Sequence, residues 1–311
     1  MSNRRQHAVI IDWPVFVLSG GFLLLFVGLA IVDLERLSTL VDGAFGYATL
    51  LFGGYWQLLM LLTFLVAVLV ASSSSGRVRL GNLDAPDMDT YKWLSIIMCT
   101  LLAGGGVFWA AAEPMAHFLS SPPLFAVESK SAQAVYPALA QSYMHWGFLA
   151  WSILGSLTAI IFMYLHYHKG LPLKPRILLY PLFGERVLHG WLGAIVDAFC
   201  VIAVVSGTVG PIGFLGLQVS FGLSELFGVA DNYSTQVLII VALIILYTLS
   251  AVSGVTRGIQ ILSRFNIGLA IFLIGFILVL GPTGFIFDSY IQSLGLLVSE
   301  FIPMATFRAD S

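Results

Sequence analysis

Charged residues are scarce in this sequence: Asp, Glu, Lys and Arg make up 10% of it, against 59% hydrophobic residues. Soluble domains carry about 25% charge, so a globule surrounded by water is excluded and a chain embedded in lipid is implied. An excess of positive charge is also missing. The net charge of −2 removes nucleic acid as a partner, because there is no basic face to meet phosphates. Cysteine is nearly absent: Cys99 and Cys200 are the two, both inside apolar runs, and no disulfide framework follows. No cleavable leader stands out, since the first apolar run is long enough to span and no small-residue cleavage site follows it. Strand-like alternation is lacking throughout. No serine sits in a nucleophile elbow, and no group of His, Asp and Glu shows metal-ligand spacing. An intramembrane enzyme and a resident metal are therefore not expected.

What the chain does have is long apolar runs. A helical crossing needs about 20 mostly apolar residues, and seven stretches qualify: 14–34, 48–71, 94–112, 138–164, 194–219, 236–253 and 267–287. The expected fold is an all-α integral membrane protein with about seven transmembrane helices. Of the 14 Lys and Arg residues, all but Arg36, Lys130 and Arg308 fall on one side of that arrangement. The positive-inside rule then puts the N-terminus in the cytoplasm. Beyond the seventh stretch, Ile291, Leu294, Leu297, Val298 and Phe301 recur at helical spacing among polar residues. This predicts a helix over 288–303 lying along the outer interface, ended by Pro303.

Chemistry concentrates in three places. The run C-T-L-L-A-G-G-G-V-F-W-A-A-A-E-P-M-A-H-F, 99–118, meets three glycines, Gly104, Gly105 and Gly106, and is expected to stop at Glu113-Pro114. Glycines weaken a membrane helix. Bared carbonyls there line a cavity, or else the small residues admit a neighbouring helix. The run H-W-G-F-L-A-W, 145–151, holds Trp146 and Trp151. On an unbroken helix they point about 140° apart. Indole faces attract a cation that has no hydrogen-bond donors, such as a trimethylammonium group, for roughly 0.5–2 kcal/mol per contact. An interfacial aromatic belt is the competing reading. Thr208, after Ser206-Gly207, either bonds back to its own helix or offers oxygen to a small cation. Asp197 reads as a helix-entry carboxylate, Glu113 as part of a structural turn and His145 as a packed, hydrogen-bonded residue.

Taken together, these stretches resemble the betaine–choline–carnitine transporters. G-G-G-V-F-W-A-A-A-E-P at 104–114, H-W-G-F-L-A-W at 145–151, W-L-G-A-I-V-D at 191–197 with S-G-T at 206–208, and S-A-V-S-G-V-T-R-G-I-Q-I-L-S-R-F-N at 250–266 occur in the family's order. The resemblance covers nearly the whole chain from Pro14. It implies a sodium-leucine-transporter-type fold of two inverted five-helix repeats behind two leading helices. On that scheme residues 14–71 are the leading helices, 94–287 the first repeat and 288–303 the outer helix, so 1–311 is a partial transporter domain.

The resemblance further implies secondary active import of a quaternary-ammonium solute such as glycine betaine, choline or carnitine, by sodium symport in most members. Proton-coupled carriers and sodium-independent exchangers are the alternatives, as is a membrane fragment that does not transport. Trp146 and Trp151 match the family's substrate-facing pair, but Leu154 stands where a tyrosine is usual. The family's G-x-G-x-G pattern falls on Leu101, Ala103 and Gly105, so only Gly105 matches it. Carbonyls near Cys99 and Leu102 match one sodium position. Thr208 matches half of another, with Val204 at its companion position. No cofactor is implied beyond the coupling ion. The implied setting is the cell (inner) membrane, and the implied assembly is a homotrimer. The chain stops before the family's tryptophan-rich eighth helix, so these 311 residues alone are expected not to transport.

Overall fold

The computed structural model describes residues 11–82, 84–86, 88–101, 106–153, 157–254 and 258–308. Among the described residues there are helices and turns and no strand. In chain order the helices are α1 (Trp13–Val32), α2 (Leu34–Ser72), α3 (Thr90–Leu101), α4 (Gly106–Leu119), α5 (Val135–Trp146), α6 (Phe148–Ser152) and α7 (Thr158–Met163). They continue with α8 (Tyr180–Phe183), α9 (Arg186–His189), α10 (Trp191–Phe227), α11 (Tyr233–Val252), α12 (Gln260–Leu280), α13 (Thr283–Ser299) and α14 (Phe301–Thr306).

Five of these, α1, α2, α10, α11 and α12, are long and apolar enough to cross a membrane. Their apolar side chains are largely uncovered: Leu24, Ile31, Leu238 and Phe272 are all at least 70% exposed. Apolar surface on this scale is stable only against hydrocarbon, and the protein is a multi-pass membrane protein. The expectation of one long helix at 138–164 is corrected by a break at Gly147, between α5 and α6. In 94–112 the described residues belong to α3 and α4.

Other boundaries differ for local reasons. Asp33 caps α2, its carboxylate accepting from the Arg36 amide at 2.9 Å, so residues 34–47 are helix rather than connector. At 39 residues α2 is about 58 Å long, well beyond a bilayer core of about 30 Å. Pro114 does not stop α4, which runs on to Leu119. Gly281-Pro282 ends α12 and starts α13, a break unmarked in the span read at 267–287. Pro303 lies in the first turn of α14, where its missing N–H has no intrahelical partner to lose.

The chain forms two compact units. Unit 1 comprises 1–56, 69–82 and 154–207. Its centre is the 175–189 segment laid on the start of α10, with Ile177 and Val187 fully buried. Asp197 of α10 accepts from the Arg176 amide and from Arg176 Nε, both at 2.7 Å. Arg176 Nη1 donates to the Leu188 carbonyl at 3.0 Å, and Nη2 to Asp12 at 2.7 Å. Lys174 Nζ reaches the same Asp12 oxygen at 2.8 Å. Gly193 makes this approach feasible, because a Cβ there would overlap the Val187 carbonyl oxygen and press on Arg176 Cδ at 3.0 Å. Asp197 is thus the anchor of an arginine.

The Lys174 hydrogen bond, and then the charges of Lys174 and Arg176, hold the Asp12 carboxyl below its ordinary value of 3.8 against the opposing effect of burial. A depressed carboxylate contributes stability above its unfolded value and loses it as pH falls through the folded one. The tie of residue 12 to this segment is therefore expected to be constant from neutral pH down to about 4 and to weaken below that. Hydrogen exchange at Arg176 and Ile177 as a function of pH measures it. An Asp12→Asn variant should already exchange faster at neutral pH.

Unit 2 comprises 57–68, 83–153 and 208–311. Here α3 packs on α12, and α5 packs on both α4 and α13. The core gathers Leu61, Ala140, Met144, Leu149, Leu297, Met304 and Ala305. Phe64 lies between Phe148 and Phe301, with ring centroids 5.9 and 5.2 Å away. The face that α13 buries is Ser289, Ser293 and Leu297, whereas Ile291 and Val298 are 62% and 65% exposed. Two serines share the packed side with Leu297, as expected where lipid competes equally for hydrocarbon and small residues let helices approach.

Candidate functional site

The site is built from α4, α5 and α6 of unit 2. After α4 the chain folds back on itself. Lys130, in the left-handed region at φ 65°, donates its amide to the Phe118 carbonyl at 2.9 Å, and Ser121 N donates to Ser129 Oγ at 3.0 Å. This tight return lays α5 antiparallel beside α4, so the end of α5 comes alongside α4.

Glu113 and His117 stand one turn apart on α4, and Gln141 and His145 one turn apart on α5. Glu113 is 8% exposed and uses both carboxylate oxygens. Oε1 accepts from His145 Nδ1, and Oε2 accepts from the Trp146 indole Nε1. Gln141 Nε2 lies 2.8 Å from His145 Nε2, and with the amide nitrogen donating there the imidazole carries its proton on Nδ1. His117 Nε2 lies 3.5 Å from Glu113 Oε1 and is buried without a hydrogen bond. The two imidazole rings meet edge to face, with centroids 5.3 Å apart.

Helix α5 stops at Trp146. Gly147 leaves the helical region (φ −100°, ψ −138°) and begins α6 as its cap. Only glycine fits, because a Cβ there would overlap the Tyr143 carbonyl oxygen. The break frees the Trp146 carbonyl from helical duty, and Trp151 Nε1 donates to it at 2.6 Å. The Trp146 indole is thus tied to Glu113, and the Trp151 indole to the main chain of Trp146. The unbroken helix assumed from the sequence, with these rings about 140° apart, is corrected by this geometry.

A cavity of about 580 Å³ opens beside the cluster, lined by Gln57, Met60, His117, Gln141, Met144 and His145 among others. It lies on the histidine side of Glu113; neither tryptophan lines it.

Of the other residues singled out from the sequence, Leu102, Gly104 and Gly105 lie outside the described residues. Gly106 is the first residue of α4. Cys99, on α3, accepts from Asn266 Nδ2 of α12 at 3.5 Å, and Thr208 is exposed on α10. The sequence shows no His, Asp and Glu cluster with metal-ligand spacing within one segment; the fold brings Glu113, His117 and His145 together, with one ligand atom of each within 4.8 Å of the others. The signal was present as E-x-x-x-H and Q-x-x-x-H, but the second imidazole comes from another helix, 28 residues beyond His117 in the chain.

Comparison with known proteins agrees with these motifs. The model of the BCCT, betaine/carnitine/choline family transporter, matches residues 14–311. Glycine betaine transporter 2 of Vibrio parahaemolyticus serotype O3:K6 (strain RIMD 2210633) is 59% identical over 298 residues, which cover 96% of this chain and 55% of that protein. Glycine betaine transporter OpuD of Bacillus subtilis (strain 168) is 30% identical over 301 residues, 96% of this chain and 57% of that protein. The high-affinity choline transport protein of Escherichia coli (strain K12) is 30% identical over 305 residues, 98% of this chain and 44% of that protein. The chain spans about half the length of the curated relatives it matches. With the family model matching all but its first 13 residues, the chain belongs to the betaine/carnitine/choline transporter family, a family of transporters and not of enzymes.

Proposed function

We propose that the protein imports a quaternary-ammonium solute of the glycine betaine type, and that Trp146 and Trp151 form one wall of its binding pocket. The observation that carries this reading is the pair of indoles held at the Gly147 break, with Trp146 anchored by Glu113 and Trp151 by the Trp146 carbonyl. A trimethylammonium group has no donors to offer, so ring faces are its best partners. Glycine betaine transporters among the relatives support this choice of solute. On this reading its carboxylate is met by backbone donors near the glycine run Gly104, Gly105 and Gly106.

Sodium is the proposed coupling ion, held by carbonyls near Cys99 and Leu102 and by the Thr208 hydroxyl. The solute carries no net charge, so voltage acts through the ion alone. Each inward sodium contributes about 2.3 kcal/mol per 100 mV and about 1.4 kcal/mol per tenfold gradient. Val204, at the companion position to Thr208, favours a second reading: exchange or proton coupling. Uptake with and without sodium separates the two. The placement proposed is the cell membrane with a cytoplasmic N-terminus, supported by the bias of Lys and Arg; a homotrimer is the proposed assembly.

Replacing Trp146 or Trp151 with leucine removes one ring contact and is expected to weaken glycine betaine binding about 2- to 30-fold. Equilibrium binding of labelled glycine betaine, with membrane insertion as the control, provides the check. Unchanged affinity in both variants removes the cage from the argument.

A further inference from the structure

We infer that Glu113, His117 and His145 form a binding site for a zinc-class divalent metal ion, reached from the cavity beside them. Nothing in the transport of a betaine calls for this constellation, and the inference stands whether or not the solute reading holds.

The geometry carries it. Three ligand atoms, two imidazole nitrogens and one carboxylate oxygen, lie within 4.8 Å of one another. Bonds of about 2.0–2.1 Å to a tetrahedral ion place ligand atoms roughly 3.3 Å apart. His117 Nε2 and Glu113 Oε1, at 3.5 Å, already have that spacing. His117 Nε2 is buried and makes no hydrogen bond, a donor set lacking only its acceptor. The carboxylate is shared in a useful way: Oε1 faces the histidines, while Oε2 is held by Trp146 and cannot swing aside.

His145 needs one change. It donates from Nδ1 to Glu113, and that nitrogen must lose its proton to become a ligand. Gln141 makes the exchange feasible. Turning its amide presents oxygen instead of nitrogen to His145 Nε2, so the proton sits on Nε2 and Nδ1 carries the lone pair. One proton leaves Nδ1 and one is taken up at Nε2 through solvent in the cavity, so the imidazole stays neutral and its tautomer shift releases no net proton. The fourth position faces that cavity, whose polar lining includes Gln57 and Gln141, and takes water. Two imidazoles with one carboxylate suit zinc and cobalt(II); calcium and magnesium, which take oxygen ligands, are not served.

The test uses the purified 311-residue chain in detergent, titrated with zinc chloride by calorimetry and with cobalt(II) by visible absorbance. One zinc per chain is expected, with cobalt absorbance of tetrahedral intensity. His117→Ala and His145→Ala should each weaken zinc at least tenfold and abolish the cobalt band, and His117→Gln guards against misfolding by keeping a polar side chain. His189→Ala, an exposed histidine on α9, should leave both readouts unchanged. Zinc affinity within twofold of the parent in His117→Ala, His117→Gln and His145→Ala overturns the assignment, as does an octahedral-type weak cobalt spectrum in the parent.

Discussion

Arg176→Met is expected to lower the stability of the chain by about 3–5 kcal/mol, the cost of leaving a buried charge without its partner. Arg176 and Asp197 are each 5% exposed. The guanidinium donates to Asp197, to the Leu188 carbonyl and to Asp12, so its loss leaves the Asp197 charge with only the residue-176 amide and removes a donor from the Leu188 carbonyl. Asp12 keeps Lys174 and suffers less. Lys174→Ala should accordingly cost no more than about 1 kcal/mol, because that pair is partly exposed. Thermal unfolding in detergent, followed by tryptophan emission, measures both. The informative comparison is the double variant Arg176→Met with Asp197→Leu. It removes the stranded charge, so it should be more stable than Arg176→Met alone. A double variant no better than the single one would mean that packing of the 175–189 segment, not the ion pair, holds unit 1.

Much of this was legible in the sequence, and the exceptions share a cause. Helices α1, α10 and α11 begin within three residues of the apolar runs that predict them, because lipid demands apolarity on every face and composition records it. The family could likewise be read from H-W-G-F-L-A-W and its companion stretches. The interruptions could not. Averaging over 138–164 hides the Gly147 break, since the apolar residues on either side suit one helix as well as two. What decides is the backbone approach of Tyr143, which no pattern displays. The packed face of α13 is hard to read from the sequence for a related reason. Ile291 and Val298 attract attention by hydrophobicity, but in a membrane they lose nothing by facing outward. Ser289 and Ser293 go inward because they are small. In the site, the chemistry of each tryptophan was readable one residue at a time. The link through Glu113 was not, because it depends on where the 120–131 return places α5 beside α4.

Gly147→Ala is expected to disable the indole pair while leaving both tryptophans in the sequence. The new methyl group would overlap the Tyr143 carbonyl oxygen. That oxygen belongs to the α5 backbone and cannot rotate away as a side chain would, so relief requires the last turn of α5 to unwind or the break to straighten. Forcing an atom into such a contact costs about 1–3 kcal/mol. If α5 and α6 merge, the Trp146 carbonyl is claimed by the amide four residues on. Trp151 Nε1 then loses its acceptor and the rings move to about 140° apart. If the last turn of α5 unwinds, Trp146 is carried off Glu113. Either route separates the two ring contacts, and glycine betaine affinity should fall roughly 10- to 100-fold, more than for either leucine variant. Tryptophan near-ultraviolet circular dichroism reports the rearrangement and equilibrium binding reports its consequence. Gly268→Ala on α12, where an added Cβ meets nothing within 4 Å, is the matched control and should bind like the parent. Full affinity in Gly147→Ala together with an altered dichroism spectrum would separate the break from solute recognition. The indoles would then bind, if at all, without the arrangement that Gly147 imposes.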